Sequence, residues 1–423
     1  MVEHGGWTSL EKVAIVPQDA FCCAICGTPG FCYSENIFGE EYAVMLARVL
    51  YKTWRVLRWL LLALLLLVVG FIALVWWENR HDDPLLPEAV KAIRFEPPTS
   101  EAMRGNGYFI LLGLRAPPTE DALDAGRREF AIQLQDYADY QRTGTFKPFV
   151  EETFPDMTVV TCDEGVSDCY AHYLKNAQAI RLKLSEQAVL IERYLSLRDK
   201  PTYKEVITPS NNGYTQPYRY GDAARASALI DMRVALLLGE NRIDEALTLL
   251  ETNAEIHQKM MEGACSLVGA MVALAMDMRQ QRLLSSALRH VPSLSANHAK
   301  RLDALLKIMP TSLTNEFECE LEWMLGSFAL EAKIHPPENE SWDTRIIAGL
   351  MYLPNATLNT IYLHGKENIR LSQLPPDRME AEVAAKRDID RKRLLLPWPL
   401  RNFIGNVLVD ITASSRASYL ERT

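Results

Sequence analysis

The sequence predicts an all-α protein, in which one N-terminal transmembrane helix is followed by an irregular domain of helix pairs. Three observations predict this fold class. The run Trp59–Trp77 is apolar and carries no charge. Apolar residues then recur at helical spacing over 119–142, 168–198 and 223–278. Between 238 and 243 a glycine-containing turn separates two such stretches, as expected for a helix pair.

The composition is that of a folded domain. The 423 residues are 48% hydrophobic and 23% charged, so the chain can bury a sizeable core. The net charge is -9. Nucleic-acid binding needs a concentrated basic surface, so we predict no nucleic-acid partner.

Residues 56–77 are predicted to be the transmembrane helix and to contact the lipid bilayer. An apolar run of this length spans roughly 30 Å of hydrocarbon. The basic flank 45–55 precedes it and the acidic stretch 78–83 follows it. The positive-inside rule therefore places the N-terminus in the cytoplasm and everything after Trp77 outside. The run is longer than a cleaved signal peptide and ends in bulky residues, which predicts an uncleaved signal anchor.

Residues 1–44 contain four cysteines in a C-C-x2-C-x5-C pattern, at Cys22, Cys23, Cys26 and Cys32. Thiolates at this spacing are candidate ligands for zinc or an iron–sulfur cluster. The pattern lacks the paired symmetry of a zinc ribbon. We therefore favour a disordered cytoplasmic tail or a mis-called start for 1–44, and predict no cofactor.

Residues 78–105 contain four prolines and are predicted to be a semi-stiff spacer. The exported helical domain is predicted to cover 106–423. In it, Thr119-Glu120-Asp121 is expected to provide the N-cap of a helix that reaches about Arg142. One long helix is expected over 168–198, and an ordered loop over 199–221.

A helix pair is predicted after this loop. Its first helix covers Ala223–Leu238, with Gly239 at the C′ position, and Asn241 caps the second. A third helix is predicted over Lys259–Met278. The pair resembles one tetratricopeptide unit, but no second copy follows at a 34-residue period. An irregular, α-solenoid-like stack is therefore expected.

Four cysteines lie in the predicted domain. Cys162 and Cys169 are close in sequence, and in an oxidising compartment such a pair is expected to form a disulfide. Cys265 and Cys319 both lie in helical patterns, and we interpret them as lone buried thiols.

Known catalytic motifs such as HExxH, GxSxG and the Walker loop do not occur. On a helix, Glu316 and Glu320 would share one face, and Glu318 and Glu322 another. Either pair has the arrangement of a general acid and base. The alternative is an ordinary acidic helix face, so we favour a non-enzymatic protein.

Four segments resemble a group of proteobacterial single-pass inner-membrane proteins of unknown function. They are Asn106–Gly113, the Cys162/Cys169 pair, Leu353–Asn359 and Arg401–Asn406. The resemblance implies an inner-membrane anchor, a helical periplasmic domain, and relatives that continue beyond the end of this chain. It implies no activity.

Three functions are considered from these features. The first is a periplasmic scaffold or interaction module that binds another envelope protein. The second is an envelope hydrolase that uses the paired glutamates. The third is a ligand-sensing domain whose pocket is lined by tyrosines of the 199–221 loop: Tyr203, Tyr214, Tyr218 and Tyr220. Candidate binding residues are Asn106, Tyr108, Asn355, Thr357 and Asn359.

Overall fold

The computed structural model describes residues 37–144, 162, 166–209, 217–290, 294–306, 314–334, 341–375, 378–385 and 401–409. Every regular element among these residues is a helix, which confirms the all-α fold class. The tetratricopeptide-like arrangement stays a prediction. The chain divides into two compact units, residues up to Gly70 and residues from Phe71 onward.

The helices have the following bounds: α1 Ile37–Asn79, α2 Pro87–Ile93, α3 Ser100–Gly105, α4 Tyr108–Leu112, α5 Ala122–Thr143, α6 Cys169–Lys175, α7 Ala177–Glu186, α8 Ala188–Leu195, α9 Pro217–Gly239, α10 Ile243–Glu262, α11 Leu267–Ala287, α12 Ala296–Leu305, α13 Thr314–Ile334, α14 Trp342–Met351 and α15 Pro354–Ser372. Two further helical stretches are α16 (378–385) and α17 (403–409).

The long first helix contains the apolar run. Its part Arg48–Asn79 is long and apolar enough to cross a membrane, and nearly all of its side chains are exposed. A soluble helix of this length would bury an apolar stripe against a core. The described part of the first unit is this helix alone.

The main core of the second unit lies between α4, α5, α9, α10 and α11. All five residues of α4 are buried. The backbones of α4 and α5 touch, because an ideal Cβ on Gly126 would lie 1.6 Å from the carbonyl oxygen of Phe109. Only glycine permits so close an approach. The side chain of Arg193 then holds the α4–α5 connection by donating to four of its carbonyls.

A second, smaller core joins α2, α13 and α15. The prediction that residues 78–105 form a spacer is therefore wrong. Residues 84–105 contain α2 and α3, and α2 packs against α13 and α15. Ala89 of α2 is fully buried. The Asn359 side chain of α15 accepts from the Leu86 backbone N–H and donates to the Pro84 carbonyl, both at 2.9 Å. These bonds fix the proline-containing segment to α15.

The predicted helix over 168–198 is divided into α6, α7 and α8. The breaks fall at Asn176 and Gln187, both with φ near -100° and ψ of 18°. At the first break the Asn176 amide donates to the His172 carbonyl at 2.9 Å and competes with the helical backbone bond.

The helix pair α9–α10 is present, but its turn differs from the prediction. Gly239 lies inside α9, and Asn241 takes the left-handed C′ position with φ of 61°. The Arg242 N–H donates to Leu237 and the Asn241 N–H to Leu238, which is a Schellman motif. Asn241 thus ends α9 and does not cap α10.

The third predicted helix, Lys259–Met278, is also divided. α10 ends at Glu262, and α11 starts at Leu267 with Ser266 as its N-cap. An ideal Cβ on Gly263 would lie 1.8 Å from the Tyr203 carbonyl oxygen. Residues 201–209 pass close to this break, so a tertiary contact sets the helix end. The predicted loop 199–221 is correct for 201–209, whereas α9 begins already at Pro217.

The α4–α5 contact gives a first prediction. Gly126→Ala should lower the free energy of unfolding by about 2 kcal/mol or more, because the backbones must separate. Gly221→Ala, in α9 with open space around its Cα, should be neutral or slightly stabilising. Thermal unfolding followed by circular dichroism in detergent measures both variants. Equal melting temperatures would contradict the close approach.

Candidate binding cleft

The second unit carries a cleft of about 1120 Å³. Its first wall is the end of α2 and the segment up to Asn106, and its second wall is the stretch 201–209. Its floor consists of Cys265, Cys319, Glu322 and Trp323. The lining mixes apolar, proline and charged residues, as ligand-binding clefts do.

The first wall is held by the second core and by α5. Ile93 packs against the second core, and the Phe95 ring meets the Tyr137 ring of α5 edge to face, at 5.7 Å between centroids. Pro97 and Pro98 restrict the residues before them to extended backbone. Between α2 and α3, residues 94–99 of the wall are therefore a non-helical strip that is held in place.

Asn106 joins the two walls. Its amide donates to the Lys204 carbonyl at 2.6 Å, and its Oδ1 accepts from the backbone N–H groups of Lys204 and Tyr108 at 2.8 and 3.0 Å. Tyr108 is buried in the core. Both predicted binding residues are thus used in folding, although Asn106 also lines the cleft.

Glu205 anchors the second wall. Its carboxylate is 1% exposed and accepts from the Cys265 and Ser266 N–H groups at 2.7 and 3.0 Å, from the Ser266 hydroxyl and from the Tyr220 hydroxyl. Burial raises the pKa of Glu205, while these hydrogen bonds oppose the rise. The carboxylate is therefore a structural group at the start of α11.

The floor contains a disulfide that the sequence analysis missed. The sulfurs of Cys265 and Cys319 are 2.06 Å apart, so the expectation of lone thiols is wrong. The partners are 54 residues apart, and helical periodicity does not reveal such a pairing. Cys162 and Cys169 also lie at disulfide distance, 1.98 Å, as the sequence predicted.

Trp323 is the second floor residue of interest. Its side chain packs on the second core and lines the cleft. Its indole Nε1–H is buried and has no hydrogen-bond acceptor in the described part of the protein. An unpaired buried donor lowers the stability of the fold.

The four glutamates of the acidic run have different surroundings. Glu316 is 1% exposed and does not line the cleft, and Glu320 accepts from the Leu267 N–H at 2.9 Å. Burial, together with repulsion from Glu320 and Glu205, raises the pKa of Glu316 to about 7. A substrate cannot reach a pair so placed.

Glu318 and Glu322 are exposed, and Glu322 lines the cleft. Partial desolvation at the cleft raises the pKa of Glu322. The charge of Lys204 opposes this rise, and the charge of Glu318 adds to it. Of the two pairs, only this one lies where a substrate could meet it. It remains the acid–base candidate of the sequence analysis.

The candidates in Leu353–Asn359 form a junction outside the cleft. The Asn355 backbone N–H donates to Asp82 at 2.8 Å, and Thr357 donates to the Leu353 carbonyl at 2.9 Å. Asn359 holds residues 84–86, as described above. Pro354 begins α15, so Thr357 lies within the helix and is not its cap. The hydrogen bonds of these groups are made within the protein.

The remaining candidates have mixed outcomes. Tyr203 and Tyr220 are buried, and neither lines the cleft. Tyr214 and the N-terminal cysteines Cys22, Cys23, Cys26 and Cys32 lie outside the described residues, as does the side chain of Tyr218. Within the described ranges, no group of three or more His, Cys, Asp or Glu residues is arranged to hold a metal ion.

Glu316 gives a second prediction, about stability and pH. Its folded-state pKa lies above the ordinary value of 4.5, so between pH 4.5 and 7 the unfolded chain loses this proton first. This group therefore lowers stability as the pH rises through that window, and its effect levels off above about pH 7. Glu316→Gln should remove about 1–3 kcal/mol of the stability difference between pH 5 and pH 8.

Urea unfolding at several pH values measures this difference. Glu318→Gln is the matched control, since Glu318 lies on the same helix and is exposed. Acids that do not interact with Glu316 contribute equally to both variants and to the parent protein. An unchanged pH slope in Glu316→Gln would contradict the assignment.

Comparisons of the chain with protein-family models, with curated proteins and with solved structures gave no match. The function of the cleft is therefore inferred from its own residues.

Proposed function

We propose that this chain is a membrane-anchored interaction module, which displays its helical domain in the periplasm of a Gram-negative bacterium and binds an envelope protein in the cleft. The observation that carries the proposal is the cleft itself. It combines an apolar lining, which includes Trp323, with charged residues on both walls. Such clefts are the default binding sites of folded domains.

The charge distribution and the cysteine pairs support this topology. Basic residues precede the apolar run of α1 and acidic residues follow it, as in a helix with a cytoplasmic N-terminus. Two cysteine pairs lie at disulfide distance in the second unit. Disulfides persist in oxidising compartments such as the periplasm.

The use of the carboxylates favours binding over hydrolysis. Glu205 and Glu320 accept hydrogen bonds from the start of α11, and Glu316 is enclosed. A general acid and base must both reach the reacting bond. Only Glu322 among these four carboxylates is both exposed and at the cleft.

The cysteine pairs give a third prediction, about compartment. In cells denatured without reductant, a maleimide reagent should leave Cys162, Cys169, Cys265 and Cys319 unmodified, because thiols in a disulfide do not react. Reduction before labelling should expose all four. Cys162→Ser should free Cys169 alone and serves as the control. Full labelling without reductant would place the domain in a reducing compartment.

Binding in the cleft gives a fourth prediction. A photoreactive phenylalanine analogue at Ile207, on the second wall, should crosslink to one reproducible envelope protein in intact cells. The same analogue at Ile132, an exposed apolar residue of α5 outside the cleft, is the control. An interaction at the cleft predicts an adduct at Ile207 and none at Ile132. The same adducts from both positions, or none from either in an abundant folded protein, would refute the proposal.

A further inference from the structure

Both walls of the cleft offer free backbone groups. In the described part of the chain, the N–H and C=O groups of Phe95 and Glu96 on the first wall form no hydrogen bond. The same holds for Ile207 on the second wall. All three residues line the cleft. Non-helical backbone with unpaired groups is a template to which another strand can add.

At residues 203–205 the second wall has the side-chain alternation of a strand. Tyr203 and Glu205 are buried, whereas Lys204 between them is exposed. A parallel bridge joins Asn106 and Thr202 at the start of this stretch. Successive side chains of a strand point to opposite faces, so the stretch can present one face to a ligand while the other is packed.

The two walls of the cleft carry different charges. Lys91 and Arg94 are exposed on the first wall, with Glu96 as the only acidic lining residue there. On the other side Lys204 and Glu322 lie close enough to influence one another. The net positive lip of the first wall complements a carboxylate on the ligand.

We infer that the cleft binds an extended polypeptide segment, which adds its backbone to the free groups of 95–96 and 207 and places alternate apolar side chains on the cleft lining. An acidic residue of the segment faces Lys91 and Arg94, and an apolar side chain of the segment packs on the ring of Trp323. This inference rests on the proposed function and names the chemistry of its partner. Main-chain pairing supplies affinity, and pockets for alternate side chains supply specificity.

The test uses the full-length protein in lipid nanodiscs and a random library of twelve-residue peptides. The best selected peptide is labelled and its affinity measured by fluorescence anisotropy. Each backbone nitrogen of the peptide is then methylated in turn, which removes one N–H and keeps every side chain. An added strand donates through every second residue. Methylation should therefore weaken binding tenfold or more at the few positions that face the free groups of 95–96 and 207, and little at the other positions.

Protein variants locate the binding. Trp323→Phe reduces the ring area on the floor of the cleft and should weaken binding several-fold. Ile207→Asp should abolish it, while Ile132→Asp should have no effect. Uniform tolerance of methylation would overturn the inference. So would apolar peptide residues spaced as on a helix, the absence of any peptide that binds below about 100 μM, or equal binding to the Ile207→Asp variant.

The two proposals can be told apart. If the photoreactive group at Ile207 captures an envelope protein but no backbone methylation weakens peptide binding, strand addition is refuted and the interaction module stands. If methylation weakens peptide binding at a few positions as expected but no adduct forms in cells, the interaction with an envelope protein is refuted.

Discussion

The buried carboxylate of Glu205 joins three parts of the second unit that are distant in sequence: the stretch 201–209, α9 through Tyr220, and the start of α11 through Cys265 and Ser266. The first N–H groups of a helix lack partners within it and carry partial positive charge, so a carboxylate there is stabilised. The neighbouring disulfide then links α11 to α13. Without this charge, several buried donors would lose their acceptor, and the second wall of the cleft would lose its support.

A second buried polar network fixes the helices behind that wall. Asp231 of α9 pairs with Arg279 of α11 at 2.8 Å, and Asn253 of α10 donates to Gln280 at 2.8 Å. Burial raises the pKa of Asp231 to about 6 with Arg279 opposing, and burial lowers the pKa of His257 to about 3. Polar groups in a core are costly unless they are satisfied, so this set favours the helix register in which they meet. The helices packed behind the second wall are therefore held in one register.

The sequence was sufficient for the fold class because apolar periodicity records which faces are buried. Helix ends were harder, because distant contacts set them. α10 stops where Gly263 meets the Tyr203 backbone, and no local breaker other than that glycine marks the place. The Cys265–Cys319 disulfide and the cleft were hard to predict for the same reason, because both form from segments that only folding brings together. The four prolines at 84–98 suggested a spacer, yet hydrogen bonds from Asn359 hold the segment to α15.

The attachment of this proline-containing segment to the domain also affects how the cleft binds a ligand. At the end of α1, the Asn79 side chain accepts from the Asn402 N–H at 2.6 Å, and Asp82 accepts from the Asn355 and Ala356 N–H groups that begin α15. Residues 79–86 are thus bound within the second unit, and the first wall follows them in the chain. Here a segment laid along 95–96 contacts backbone that is already held, so it need not order a wall before binding.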